Sequence, residues 1–276
     1  MILISQFTDK QNRIVSNLLT QLRQVDSVEA IALGGSYASG KATVTSDIDI
    51  GLYYHDDAPF AIDDIRDIAD AVNDEPNPTV TDFGDWGKWV NGGGWLTIEG
   101  QRVDFLYRSL NTLQYWIEQS HNGIIELDYY QQPVTGFYSY MYLAELAICV
   151  PLRDEHQHIV QIKSQIATYP PKLKDKIIRE FSWMADFTLY HAEVAIQRGD
   201  VYGAVGCIHR VIACIVQIIY AKNERYFLSD KGTIAECAKM PIIVNDFEPF
   251  VADILTHPTK DNLEHLKELL SEIISL

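Results

Sequence analysis

Residues 28–54 restrict the fold more than any other part of the chain. Val28-Glu29-Ala30-Ile31-Ala32-Leu33 is a short apolar segment that runs into Gly34-Gly35-Ser36. After a linker rich in Gly, Ala, Ser and Thr comes Asp47-Ile48-Asp49-Ile50-Gly51-Leu52-Tyr53-Tyr54. The second segment alternates strictly: Ile48, Ile50 and Leu52 point one way, Asp47, Asp49, Gly51 and Tyr53 the other. Such a strand must lay its apolar face on a core and leave its acidic face elsewhere. The glycine pair allows a tight turn and a close backbone approach to a ligand, and Ser36 adds a hydroxyl and an N–H at the start of a helix.

The neighbouring patterns build an α/β unit around these strands. Ile14, Leu18, Leu19 and Leu22 predict an amphipathic helix over 9–25, and Ile62, Ile65, Ile68, Ala69 and Val72 predict another within the acid-rich 56–75. Pro76 to Gly94 reads as loop. A hairpin is expected from Trp95–Glu99 and Arg102–Tyr107, turned at Glu99-Gly100-Gln101, and a helix over 110–119. In the second hairpin strand Val103 and Phe105 share one face, and Arg102, Asp104 and Leu106 the other. Residues 123–152 are mixed and Tyr-rich, with a helix around Tyr138–Cys149. Past Tyr169-Pro170-Pro171 helical spacing takes over: 172–198, stopped by Gly199; an almost wholly apolar 201–222; a short helix near 233–239; and Asn262–Ile274. The fold class expected is α+β, with a mixed-sheet catalytic domain over 1–165 and a helical bundle over 166–276.

Asp47 and Asp49 place two carboxylates about 7 Å apart on one face, given the rise of ~3.3 Å per strand residue. Like charges held together repel, and no run of basic residues lies near them in sequence, so a divalent cation is the natural counter-charge. Ligands that are all oxygen suit Mg²⁺, which binds through one or two carboxylates and completes its shell with water and substrate phosphate. Asp104 is placed to join them.

Composition narrows the partners. Asp and Glu number 38 against 22 Lys and Arg, a net charge of −16. That argues against a surface tracking polynucleotide phosphates and in favour of a cationic partner. No apolar run approaches the ~20 residues of a membrane span, and the N-terminus lacks the pattern of a secretory signal, so a cytoplasmic protein is expected. Cys149, Cys207, Cys214 and Cys237 show no metal-binding spacing and read as buried free thiols. His156 and His158 read as a solvated loop. For Trp86, Trp89 and Trp95, core packing outweighs the stacking of a base or substrate ring.

The string GGSYASGKATVTSDIDIGL, followed by RVDFLY, resembles the nucleotidyltransferase superfamily that includes DNA polymerase β, and most nearly its bacterial small-molecule members of the aminoglycoside and lincosamide type. The motif match covers residues 28–107. The resemblance implies that Gly35 and Ser36 hold the β- and γ-phosphates of an NTP, expected to be ATP. Asp47 and Asp49 would hold two Mg²⁺ ions, and Asp104 would join them or act as base. Glu145 and Glu193 are further candidates for the base, and Arg210 and Lys231 for contacts to the triphosphate. It implies transfer of a nucleoside monophosphate to a hydroxyl of a small acceptor, which the net charge makes cationic. Many relatives carry a basic residue in the loop that here reads Ala38-Ser39-Gly40-Lys41, where Lys41 stands as the substitute. The alternatives are a toxin–antitoxin type enzyme modifying a protein or RNA end, and a nucleotide-binding module without turnover. The apolar 201–222 segment leaves a homodimer open.

Overall fold

The alternating segments form strands, and the structure shows what they pair with. The computed structural model describes residues 6–129 and 134–276. The sequence readings at 1–5, and the part of the 123–152 reading at 130–133, lie outside the described residues. In chain order the elements are α1 (Asp9–Leu22), β1 (Ala30–Leu33), α2 (Gly35–Ala38), β2 (Ile48–Tyr54), α3 (Ile62–Val72), β3 (Thr79–Val80), α4 (Gly87–Val90), β4 (Gly93–Ile98), β5 (Gln101–Ser109), α5 (Leu110–His121), β6 (Leu127–Asp128) and β7 (Phe137–Tyr138). They continue with α6 (Met141–Ile148), β8 (Val150–Arg153), α7 (His158–Gln165), α8 (Pro171–Gln197), α9 (Val201–Lys222), α10 (Thr233–Cys237), α11 (Phe247–Thr256) and α12 (Lys260–Ser275). Two units are distinguished: the described residues within Met1–Ile117 and Tyr142–Ala167, and those within Glu118–Met141 and Thr168–Leu276.

The first unit is an α+β layer on a six-stranded sheet of order β3-β4-β5-β2-β1-β8. Only β2 and β5 pair in parallel; the other pairs are antiparallel, so the sheet is mixed. Its apolar face carries Ile31, Leu33, Ile48, Ile50, Leu52, Leu96, Val103 and Phe105 against Ile14, Leu18 and Leu22 of α1 and Ile65 and Ala69 of α3. Thr8 fixes the start of α1 by a reciprocal cap: Gln11 N–H donates to Thr8 Oγ1 at 3.3 Å, and Thr8 N–H donates to Gln11 Oε1 at 2.9 Å.

Several local expectations change. The helix expected in 56–75 contracts to Ile62–Val72. The loop reading of Pro76–Gly94 is corrected by an edge strand, β3, and a single turn, α4. The hairpin turn uses two residues, Glu99 and Gly100, both at positive φ (50° and 73°), and Gln101 already pairs with Ile98. α6 begins at Met141, and Val150–Arg153 leaves it to pair with β1 as an edge strand. α7, starting at His158, and α11 are additional helices. His156 is exposed, but His158 is half-buried, its Nε2 3.6 Å from Glu29 Oε2.

Opposite the apolar core, the far end of the sheet is closed by a buried ion pair. Arg108 Nε and Nη2 donate to Glu145 Oε2 and Oε1 at 2.8 and 3.0 Å, while Nη1 donates to the carbonyls of Val90 and Tyr107. Burial works against the Arg108 charge, but Glu145 outweighs it and holds the guanidinium above its ordinary value. Glu145 is thereby committed to structure, which corrects its candidacy as a base.

The second unit is helical apart from the small β6–β7 pair. α8 begins on Pro171 and ends at Gly199, whose φ of 68° supplies the left-handed exit. Asp200 then caps α9, accepting from Gly203 N–H at 2.9 Å. α9 packs along α8, and α12 packs against both. α9 is long and apolar enough to cross a membrane by length and composition, unlike the expectation from run lengths, and two-thirds of its most apolar window is buried inside the protein. Burial pushes the Cys214 and Cys237 thiols up to about 12. Cys207 corrects the thiol expectation, being only partly buried. Glu193 of α8 accepts from Lys267 at 3.1 Å, which ties it to α12.

Replacing Glu145 by Ala strands the buried Arg108 charge, with an expected loss of about 3 kcal/mol. Urea unfolding checks this as a lower midpoint with an unchanged slope. Arg108→Met with Glu145→Leu should recover most of the loss.

Candidate active site

The site is built where β1 ends and β2 begins. Gly34 N–H donates to Asp49 O at 2.9 Å, so the glycine turn is laced to β2 beside its second carboxylate. Gly35 follows at φ +57°, a conformation that disfavours a side chain, and a Cβ there would collide with Asp49 Oδ2. Glycine is therefore required twice over: for the turn, and for room beside Asp49. α2 is one helical turn, and Gly35 and Ser36 open it, where backbone N–H groups have no carbonyl of their own helix to bond. Tyr37 pins the turn from behind, its hydroxyl accepting from Gln11 Nε2 at 2.5 Å and its ring edge-on to Phe7 at 4.9 Å. Lys41 lies just beyond and is exposed.

The parallel register of β2 and β5 sets the carboxylates. Asp49 is directly opposite Asp104, and Ile48 is opposite Val103. In a pleated sheet both members of such a pair point to the same side, with the strands about 4.8 Å apart. Asp49 and Asp104 thus form a like-charge rung, both half-buried. Asp47 and Arg102 stand one step before the ladder's first pair, Ile48 and Val103, and make an opposite-charge contact: Arg102 Nη2 is 2.5 Å from Asp47 Oδ1 and also donates to Thr45 O at 2.8 Å. Asp47 Oδ1 is shielded from solvent, and Arg102 is the charge it faces.

This donor set can be tested against a divalent cation. Among the described residues no three His, Cys, Asp or Glu side chains are gathered closely enough to hold a metal by themselves. A cage made wholly of protein does not fit. The fit is to a cation held by one or two carboxylates with phosphate and water completing the shell. The Asp49–Asp104 rung supports it, with the Asp47 carboxylate two residues before Asp49 on the same face.

Gly35, Ser36, Asp47, Asp49 and Asp104 are therefore brought to one end of one sheet. Arg210, exposed on α9, and Lys231, in the exposed turn before α10, belong to the second unit. Sequence reasoning overlooked Arg102 as the counter-charge of Asp47. The signal was its placement on the Asp104 face; what could not be read was that β5 lies parallel to β2. The three tryptophans part company. Trp89 is buried in the core, whereas Trp95 is 55% exposed and stacked on Trp86.

The nucleotidyltransferase domain family matches residues 15–182, which include Gly35, Ser36, Asp47, Asp49 and Asp104. The chain belongs to that family. A domain of unknown function, DUF4037, matches residues 140–231. No curated protein matches the chain. Among solved structures, a nucleotidyltransferase-like protein from Exiguobacterium sibiricum 255-15 is 10% identical with a TM-score of 0.47, covering 96% of this chain and 74% of its own.

Gly35→Ala tests whether this nucleotidyltransferase depends on the turn. An added methyl must drive the Asp49 carboxylate from its place, and a misplacement of about 1 Å costs on the order of a hundredfold in rate. Pyrophosphate release should fall by about that factor, with the thermal midpoint recorded alongside to show that the fold persists.

Proposed function

We propose that this nucleotidyltransferase moves AMP from ATP to a hydroxyl of a small, cationic acceptor, with Mg²⁺ and with release of pyrophosphate. The observation that carries the reading is the register of Asp49 on Asp104, with Asp47 beside them and the Gly35-Ser36 turn packed against Asp49. Three carboxylates close to a glycine turn suit a metal-bound triphosphate and have no evident purpose in packing.

The roles follow from position. Gly35 and Ser36 cradle the β- and γ-phosphates through backbone N–H groups and the Ser36 hydroxyl. Asp47 and Asp49 hold the cation. Bound there, Mg²⁺ supplies neutralisation of the phosphate charge and lowers the pKa of the acceptor hydroxyl. Asp104 takes the proton from that hydroxyl as its oxygen bonds to the α-phosphorus. The bond from the α-phosphorus to the bridging oxygen breaks in line, and the electron pair leaves on pyrophosphate. The excess of acidic residues favours an acceptor bearing amines and disfavours a polynucleotide. With three acids at its centre, the site binds a triphosphate only when a divalent cation comes with it.

The experiment is incubation with Mg²⁺ and labelled ATP over a panel of hydroxyl acceptors, reading pyrophosphate and labelled product. Asp47→Asn with Asp49→Asn should bring release down to background. Turnover that survives both substitutions would remove the metal assignment. Label appearing on a protein or an RNA end instead would favour the toxin–antitoxin type of acceptor.

A further inference from the structure

The same sheet face that carries the carboxylates continues into an aromatic surface. Trp95 of β4 is directly opposite Asp104 of β5, so its indole rises on the Asp49–Asp104 side. Leu96 and Ile98, the alternate residues of β4, go into the core. Trp95 is stacked on Trp86, with ring centroids 4.8 Å apart and planes 22° from parallel. Gly93, two residues before Trp95 on the same face, makes room: a Cβ there would lie 2.8 Å from the Trp86 ring. Trp86 therefore lies down on bare backbone, and Trp95 is braced by it. More than half of Trp95 stays open to solvent. A core tryptophan would not be left in this state. Trp89, three residues from Trp86, is the contrast, 2% exposed.

The strand order gives this surface a place in the reaction. Across the sheet run β4 with Trp95, β5 with Asp104, β2 with Asp49, and β1 with the glycine turn at its end. In-line displacement puts the leaving pyrophosphate and the attacking oxygen on opposite sides of the α-phosphorus. With the pyrophosphate at the glycine turn, the attacking oxygen comes from the β4 side. The oxygen is then next to Asp104, and the body of the molecule that carries it is next to Trp95.

We infer that Trp95, braced by Trp86, is the acceptor platform: it stacks on a flat ring of the hydroxyl-bearing substrate and aims that hydroxyl at Asp104. This rests on the nucleotidyl-transfer reading for its choice of acceptor over nucleotide. An indole face also attracts an amine borne by the ring, more strongly than any other side-chain ring does.

Calorimetry without turnover tests it, with tyramine as a probe that joins ring, hydroxyl and ammonium, and ethanolamine as the same pair of groups without the ring. α,β-Methylene-ATP and tripolyphosphate, each with Mg²⁺, report the nucleotide side. Trp95→Ala should weaken tyramine about tenfold, and Trp95→Phe should restore it to within about threefold. Ethanolamine and both phosphate ligands should be unchanged. Equal tyramine affinity in wild type and Trp95→Ala, or no tyramine binding to either, overturns the inference. So does a loss confined to α,β-methylene-ATP and absent with tripolyphosphate, which would make Trp95 a base-stacking residue and leave nucleotidyl transfer standing. Failure of the transfer reading itself is recognised separately, by turnover that persists in Asp47→Asn with Asp49→Asn.

Discussion

The parallel pairing of β2 with β5 is the constraint on which the site depends. Every other strand pair in the main sheet is antiparallel. Had β5 paired one residue out of register, Asp104 would have pointed into the core and Val103 toward the carboxylates, because side chains alternate with a period of two. The core holds the register: Ile48 on Val103, Ile50 on Phe105 and Leu52 on Tyr107 are all buried on the apolar face. Hydrophobic burial on one side of the sheet thus fixes which carboxylates stand opposite each other on the other. A slip is resisted because it would expose a row of large apolar side chains.

Asp47 has Arg102, an exposed side chain that reaches across to it. An ion pair this open to water is worth little as stability, about 1 kcal/mol or less. Arg102 is therefore a weakly held counter-charge. Arg108, six residues along the same strand and on the same face, is the opposite case: buried, with Nε and Nη2 of its guanidinium on Glu145 and Nη1 on backbone carbonyls. One strand face carries an exposed ion pair at one end and, at the other, one whose arginine is buried.

The sequence made the local parts of this arrangement legible and left the non-local parts hidden. Alternation in Asp47–Tyr54 revealed the strand and its acidic face, and the glycine pair revealed the turn, because each depends on residues within a few positions of one another. Pairing partners carry no such signal. β8 was hidden behind Pro151 and an apolar run that suits a helix equally well, and it is a strand only because the edge of β1 receives it. β3 has two residues, too few for any period. The change of character after residue 165 is a change of local composition, whereas the company that Glu118–Met141 keeps with the later helices is a matter of contacts made on folding. For the site, Asp47, Asp49 and Asp104 can be singled out by chemistry, but nothing in the sequence separates Trp95 from Trp86 and Trp89 or marks Arg102 as a counter-charge. Each matters only for what stands beside it across a strand gap.

Trp95 shows how an aromatic residue can be misjudged when burial is inferred from type alone. Tryptophan in a small domain is usually packed, and Trp89 is. Trp86 and Trp95 stack on the other face, where Gly93 carries no side chain and a Cβ would lie 2.8 Å from the Trp86 ring. Glycine so placed weakens a strand through entropy and missing contacts, a cost of about 0.5–1 kcal/mol at each position relative to alanine. On the core side Gly94 is tightly enclosed, with Thr79 O and Val80 Cγ2 each 3.3 Å from where its Cβ would be, so packing accounts for it. Gly93 also lies close against the Phe105 backbone, and that approach admits no Cβ. The glycines at the head of β4 thus answer to sheet geometry first. The flat aromatic surface follows from that geometry, and its position beside Asp104 is what turns an exposed indole into part of the site.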